Sequence, residues 1–265
     1  MISTLLIIDA MNLIRRIYAV QEKQSGETES AILATENTVC NALKKLLHIH
    51  QPTHVICVFD SHTASWRHRL YPNYKKGRKP VPALLKQDLD RIQDLFFTMG
   101  VESLVTESDE ADDLIATLAD KMAKQQQKCI IVSTDKGFYQ LLNTQIIIYD
   151  YFQHRYTDAL AVFNKMGLST QQLCDYWAIT GISSSAIKGV EGIGAKGALT
   201  LLKQFKSLDN MLLQPTDEAD KRLAKIHQCK ADALLTKKLV TLHKSISLGF
   251  NLKDLRYTHT AIKNQ

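Results

Sequence analysis

The chain predicts an α/β fold, a mostly parallel sheet flanked by helices, followed by a helical second half. Two features of the residue pattern carry this. Short runs rich in Val, Ile and Leu recur through the first half, at Thr4 to Ile8, His54 to Phe59, Val101 to Val105, Cys129 to Ser133 and Gln145 to Ile148. Continuous apolar runs of that length belong to strands buried on both faces. Helix-period stretches lie between them, at Ala31 to His48, Ala83 to Met99 and Asp112 to Ala123, so strand and helix alternate as a parallel sheet requires. After about Tyr151 the strand-like runs give way to helical ones such as Leu199 to Phe205 and Ala231 to Leu242. The expected division is therefore 1–150 for the sheet unit and 151–265 for the helical unit. No repeat or low-complexity linker separates them, so a rigid junction is expected.

Composition sets the outer bounds. With 265 residues, 45% hydrophobic and 23% charged, the chain can bury a full core, which excludes disordered and fibrous classes. A formal charge of +6 favours a polyanionic partner if the cations cluster. The apolar start is broken at Asp9, too early for a signal sequence or a membrane span, so the expected location is the cytoplasm. Five cysteines without a C-x-x-C pair read as reduced thiols, and no His/Cys pairing suggests zinc.

Carboxylates carry the chemistry. Three apolar runs lead into aspartates, Asp9, Asp60 and Asp135. In open parallel sheets the carboxyl ends of strands border the ligand crevice, so these side chains are expected to converge there. A single such Asp is more often a turn former or helix cap. The run Ser108-Asp109-Glu110-Ala111-Asp112-Asp113 then leads into a helix. Acids suit a helix N-terminus, but four in one turn exceed that need, and their repulsion calls for a divalent cation. Glu110 and Asp113 can share one helix face, with Asp112 to the side. Oxygen-only ligands suit magnesium or manganese and phosphoryl-transfer chemistry.

Two further segments bear on phosphate. The stretch Tyr74-Lys75-Lys76-Gly77-Arg78-Lys79-Pro80 is a basic loop, and a solvated loop is the ordinary role for such a charge run. Gly192-x-Gly194-x-x-Gly197 satisfies the dinucleotide fingerprint literally, but no buried strand precedes it, and no Gly-Lys-Ser/Thr follows to make a Walker A loop. A turn between helices fits better, its glycines letting backbone N–H groups approach a phosphate with Lys196 nearby.

In their order along the chain, these blocks resemble the bacterial and phage five-prime nuclease family, which includes the five-prime nuclease domain of DNA polymerase I. The matching residues are Leu6-Ile7-Ile8-Asp9, Val58-Phe59-Asp60, Trp66-Arg67-His68 with Tyr71-Pro72-Asn73-Tyr74-Lys75, Glu110-Ala111-Asp112-Asp113, Val132-Ser133-Thr134-Asp135-Lys136 and Gly189-Val190-Glu191-Gly192-Ile193-Gly194-Ala195-Lys196. The resemblance implies a PIN-like sheet domain with an arch above its metal site and a helix-hairpin-helix region that binds branched or flapped DNA. The implied activity is that of a monomeric flap endonuclease using magnesium to hydrolyse a phosphodiester bond. Carried over by position, Asp9, Asp60 and Asp135 are catalytic acids, while Glu110, Asp112 and Asp113 are magnesium ligands, Asp112 foremost. Lys75 and Arg78 are catalytic cations. Arg67 and Tyr74 are DNA contacts near the arch, and Gly192, Gly194 and Lys196 are DNA contacts in the hairpin. Potassium would be held by the backbone carbonyls of Ile179, Thr180, Lys188, Val190 and Ile193. Gly137, Ile182 and Ser185 stand where the family has acids, so a second magnesium is expected to be held indirectly, by waters and DNA phosphate. That departure leaves a DNA-binding protein without turnover as the alternative. A PIN-type ribonuclease is a third reading, disfavoured by the hairpin.

Overall fold

The computed structural model describes residues 3–60, 63–106, 109–215 and 220–258. Ser108, at the head of the acidic run, and residues 259–265 of the expected helical unit lie outside the described residues. The sheet unit comprises β1 (Thr4–Asp9), α1 (Ala10–Ser25), α2 (Glu29–His50), β2 (His54–Phe59), α3 (Trp66–Leu70), α4 (Ala83–Thr98), β3 (Glu102–Val105), α5 (Ala111–Lys124), β4 (Lys128–Val132), β5 (Ile146–Asp150) and β6 (Arg155–Thr157). Six strands form one sheet in the order β3-β2-β1-β4-β5-β6, parallel except for β6.

The central strands are buried on both faces, and their alternation sorts the core. Leu5, Ile7, Ile56, Val58, Cys129 and Ile131 face α5 and the helical second half. Leu6, Ile8, Val55, Cys57, Phe59 and Val132 face α1, α2 and α4. Side chains alternate across a strand with period two, so each apolar run serves both layers at once. Burying each such Leu or Ile contributes about 1.5–3 kcal/mol. In register, Ile8 lies beside Cys57 on β2 and Val132 on β4, so the carboxyl ends of these three strands open side by side.

Two expectations change. The run at Val101 to Val105 is an edge strand rather than a doubly buried one, with Val105 47% exposed, because only β2 pairs with β3. The sheet also continues past Asp150 through the antiparallel strand β6, so a division at 150/151 cuts through a hairpin.

The second half contains α6 (Ala159–Met166), α7 (Leu173–Thr180), α8 (Ala195–Phe205), α9 (Leu208–Leu213), α10 (Lys221–Gln228) and α11 (Lys230–Val240). Its apolar residues, among them Trp177, Ile179, Leu201 and Leu239, share one continuous core with the α5 face of the sheet. After α11 the chain returns over α5, where the Ile246 N–H donates to Thr117, and Arg256 bridges to His54 beside β2. No helix among the described residues is long and apolar enough to cross a membrane.

Candidate active site and nucleic-acid interface

Asp9, Asp60, Asp112 and Asp135 line one cavity of 260 Å³ together with Lys75, Arg78 and Arg15. Each acid arrives on a different element. Asp9 ends β1 and caps α1, accepting from the Asn12 N–H at 3.1 Å and from Ser133 Oγ at 2.8 Å. Asp60 follows β2 and accepts from the Ala111 N–H at 3.0 Å, which ties it to the start of α5. Asp112 lies in the first turn of α5. Asp135 follows β4 and accepts from the Gly137 N–H at 2.7 Å.

Burial and crowding both show in their acidity. Burial, reinforced by the charges of Asp60 and Asp135, pushes Asp9 up to about 7 against the pull of its hydrogen bonds from Ser133 and Asn12. Burial and the neighbouring charges of Asp135, Asp60 and Asp9 hold Asp112 well above the ordinary carboxylate range, with Lys75 opposing. Among the described residues no three His, Cys, Asp or Glu side chains converge closely enough to enclose a metal unaided. The acids form an open basin of negative charge, which suits an ion that keeps part of its water shell.

Lys75 enters this basin from a left-handed backbone, φ 55°, a conformation that costs a non-glycine residue of order 1 kcal/mol or more. Its N–H donates to the Ser185 carbonyl at 2.8 Å, fixing the basic loop to the helical half. Burial opposes its charge, but Asp112 and Glu110 outweigh that and raise its pKa.

Four assignments from the acidic run and the arch base are corrected. Asp113 is 0% exposed and points away from the basin. It accepts two bonds from the Arg67 guanidinium, at 2.7 and 2.8 Å, one from Trp66 Nε1 at 2.9 Å and one from the His243 N–H at 2.9 Å, so no oxygen is free to ligate. Glu110 is 4% exposed and takes Ser65 Oγ at 2.7 Å, Tyr74 OH at 3.0 Å, Arg67 at 3.2 Å and Lys75 at 3.3 Å. Burial raises its pKa, and the charges of Lys75 and Arg67 with the bonds from Ser65 and Tyr74 more than reverse that. Both acids brace the site rather than line the basin. Arg67, 1% exposed, also donates to the carbonyls of Leu239 and Thr241, so it cannot reach DNA. Tyr74 is packed in the core with its hydroxyl on Glu110, so it offers no face for a base.

A larger cavity of 540 Å³ adjoins the basin and shares Asp112, Asp135, Lys75 and Arg78 with it. Gly137, Ile182 and Ser185, the three positions without acids, all line this cavity. They line one common space and supply it with no charged oxygen.

The hairpin stands beyond. Gly181 and Gly189 bring two backbones into contact, since a Cβ at Gly189 would overlap the carbonyl of Ile179. The Val190 N–H donates to that carbonyl, Thr236 Oγ1 donates to the carbonyl of Lys188, and the Ile193 N–H donates to that of Val190. A carbonyl has two lone pairs, so each retains one acceptor site. Gly192 (φ 75°), Gly194 and Lys196 are exposed at the tip. Two cations missed from the sequence join them: the Lys225 ammonium occupies the place a side chain at Gly192 would take, and Arg222 packs beside Gly197. Their three-residue spacing on α10 was the available signal.

Comparison with known proteins agrees with this geometry. Residues 4–167 match the 5'-3' exonuclease N-terminal resolvase-like domain and residues 168–263 the 5'-3' exonuclease C-terminal SAM fold. The chain belongs to the 5'-3' exonuclease family. It is 69% identical to the flap endonuclease Xni of Psychromonas ingrahamii over 97% of this chain and 98% of that one. It is 50% identical to the Xni of Aeromonas salmonicida over 96% of each. The phage T5 5'-exonuclease with bound divalent metal shares the fold at a TM-score of 0.74 and 20% identity, covering 89% of both chains.

Proposed function

We propose that the protein is a structure-specific DNA flap endonuclease that cuts five-prime flaps by magnesium-dependent hydrolysis of a phosphodiester bond. The observation that carries this reading is the meeting of Asp9, Asp60, Asp112 and Asp135 with Lys75 and Arg78 in one cavity, in a chain 69% identical to a flap endonuclease. The donors are all oxygens, and burial, reinforced by their mutual repulsion, raises the pKa of Asp9 and Asp112, a cost that a divalent cation would offset. Asp112, with Asp9, Asp60 and Asp135, would hold the ion. When bound, magnesium supplies a Lewis acid and an acidified water. Lys75 and Arg78 hold the phosphate and offset the charge that grows on it. Glu110 keeps Lys75 in place, and the Arg67–Asp113 pair ties α5 to the helical half. The hairpin at Gly192 to Lys196 grips a DNA phosphate without reading sequence. Potassium would use the carbonyls of Ile179, Thr180, Lys188, Val190 and Ile193, and a second magnesium would rest mainly on waters and DNA phosphate. The working unit is a cytoplasmic monomer.

The second reading, a branched-DNA binder without turnover, draws on Gly137, Ile182 and Ser185. Labelled flap, single-stranded and RNA substrates, each incubated with magnesium or a chelator, separate the readings. Magnesium-dependent cutting of the flap substrate alone is expected. Tight binding without product would favour the second reading, and preferential cleavage of RNA would favour a PIN-type ribonuclease.

A further inference from the structure

A third cavity, of 170 Å³, shares Asp60, Lys75 and Arg78 with the acid basin but contains none of Asp9, Asp112 or Asp135. His68 lines it. The imidazole is held on two sides. Its ring packs edge-on against Tyr74 with centroids 5.1 Å apart, and its Nδ1 lies 3.3 Å from the Ser65 N–H and 2.9 Å from Ser65 Oγ. Ser65 in turn donates its hydroxyl hydrogen to Glu110 at 2.7 Å. Where Nδ1 accepts from the Ser65 N–H, the ring hydrogen resides on Nε2. In that tautomer Nε2–H is a donor that bonds no other group among the described residues.

We infer that His68 is a phosphate-binding residue for the single-stranded arm of the DNA, taking the phosphodiester next to the one that is cut. This rests on the flap-endonuclease reading above. Nucleic acid is a string of phosphates, so a strand with one phosphate at the Lys75 and Arg78 rim must accommodate the next one nearby. The cavity across that rim supplies a fixed donor beside the same two cations. Its acids do not cancel this. Glu110 is occupied by four donors, Asp60 is engaged with the Ala111 N–H, and Asp109 is partly exposed, where water screens it. A donor immobilised before binding loses little entropy when the strand arrives.

The experiment uses the full chain in chelator, measuring affinity for flap DNA with one methylphosphonate placed in turn on the arm side or duplex side of the cleavage point. His68→Ala is expected to weaken binding of unmodified flap DNA about ten- to hundredfold, the size of one hydrogen bond to a charged group. Duplex without an arm should bind as before. A single arm-side methylphosphonate should abolish the difference between variant and wild type, whereas duplex-side ones should preserve it. His68→Gln, which keeps an N–H donor, should recover part of the loss and guards against misfolding of the alanine variant, with Tm checked for both. Unchanged flap affinity in His68→Ala overturns the proposal, as does a loss that persists at every methylphosphonate position. Wild-type cleavage is measured in parallel with magnesium. Absence of cutting there would count against the nuclease reading, while the methylphosphonate map would still decide the role of His68.

Discussion

Asp112 and Asp113 are neighbours in the first turn of α5, yet they live in opposite electrostatic worlds. Asp113 accepts four hydrogen bonds, two of them from the bidentate Arg67 guanidinium. Asp112 faces other acids across a cavity, with Lys75 as the main opposing charge. Successive helix positions diverge by about 100°, enough to turn one carboxylate into the protein and the other into the site. The contrast separates acids that hold the framework from acids left uncompensated. Compensation, rather than the presence of a carboxylate in a motif, distinguishes the two.

The sharpest way to break this comparison is to remove each acid. Asp112→Ala should lower flap cleavage at least ~100-fold, more than the loss typical of a residue that only orients a ligand, while flap binding in chelator persists. Cleavage at the wild-type rate would sink the assignment. Asp113→Ala should act on the fold instead, because it leaves the Arg67 charge buried without its main partner. A loss of about 3–5 kcal/mol in unfolding free energy is expected, read from denaturant titration. An Asp113→Ala protein as stable as wild type would show that the pair braces nothing.

Acidity gives a third test. Asp9, raised to about 7, and Asp112 have folded pKa values above their unfolded ones, so the folded state binds more protons. Stability from these groups is fully present below the unfolded carboxylate pKa and is lost as pH rises through the folded value. In chelator, Tm should fall between pH 5 and pH 8, and Asp9→Asn, which keeps the helix cap, should flatten the slope. Magnesium should offset the fall. A Tm that rises over that range in chelator would contradict the burial and crowding of these acids.

The smallest effect belongs to the hairpin. Lys196→Ala should weaken flap binding about equally across sequences and reduce the salt slope by roughly one unit. Lys225→Ala should do the same if the cation beside Gly192 serves the same phosphate. Affinity unchanged at several salt concentrations would remove the residue tested from the interface.

Much of this was legible in the sequence, for physical reasons that differ by region. The meeting of Asp9, Asp60 and Asp135 in one cavity could be expected because parallel strands open at one edge, so an acid after each apolar run has one place to be. Arg67 and Tyr74 could not, because a cation or a phenol beside a basic loop looks alike whether it meets solvent or a buried carboxylate. The decisive partners, Leu239 and Thr241, lie far along the chain. Strand β6 escaped notice because three residues on an outer edge, Arg155, Tyr156 and Thr157, carry no apolar run. Helix α1 was hidden by the same Asp9 that ends β1, a residue serving as strand terminus, helix cap and basin acid together. Lys225 depended on how α10 packs against the hairpin, which only tertiary structure sets.

The account turns on which acids hold the ion, and the most direct measurement is a crystal structure of the protein soaked in manganese as a magnesium substitute, with the ion located by anomalous scattering. The expected result is a peak bonded to a carboxylate oxygen of Asp112 within the basin of Asp9, Asp60 and Asp135, with Asp113 still paired to Arg67. An ion bonded to Asp113, with the Arg67 guanidinium displaced from it, would contradict the account.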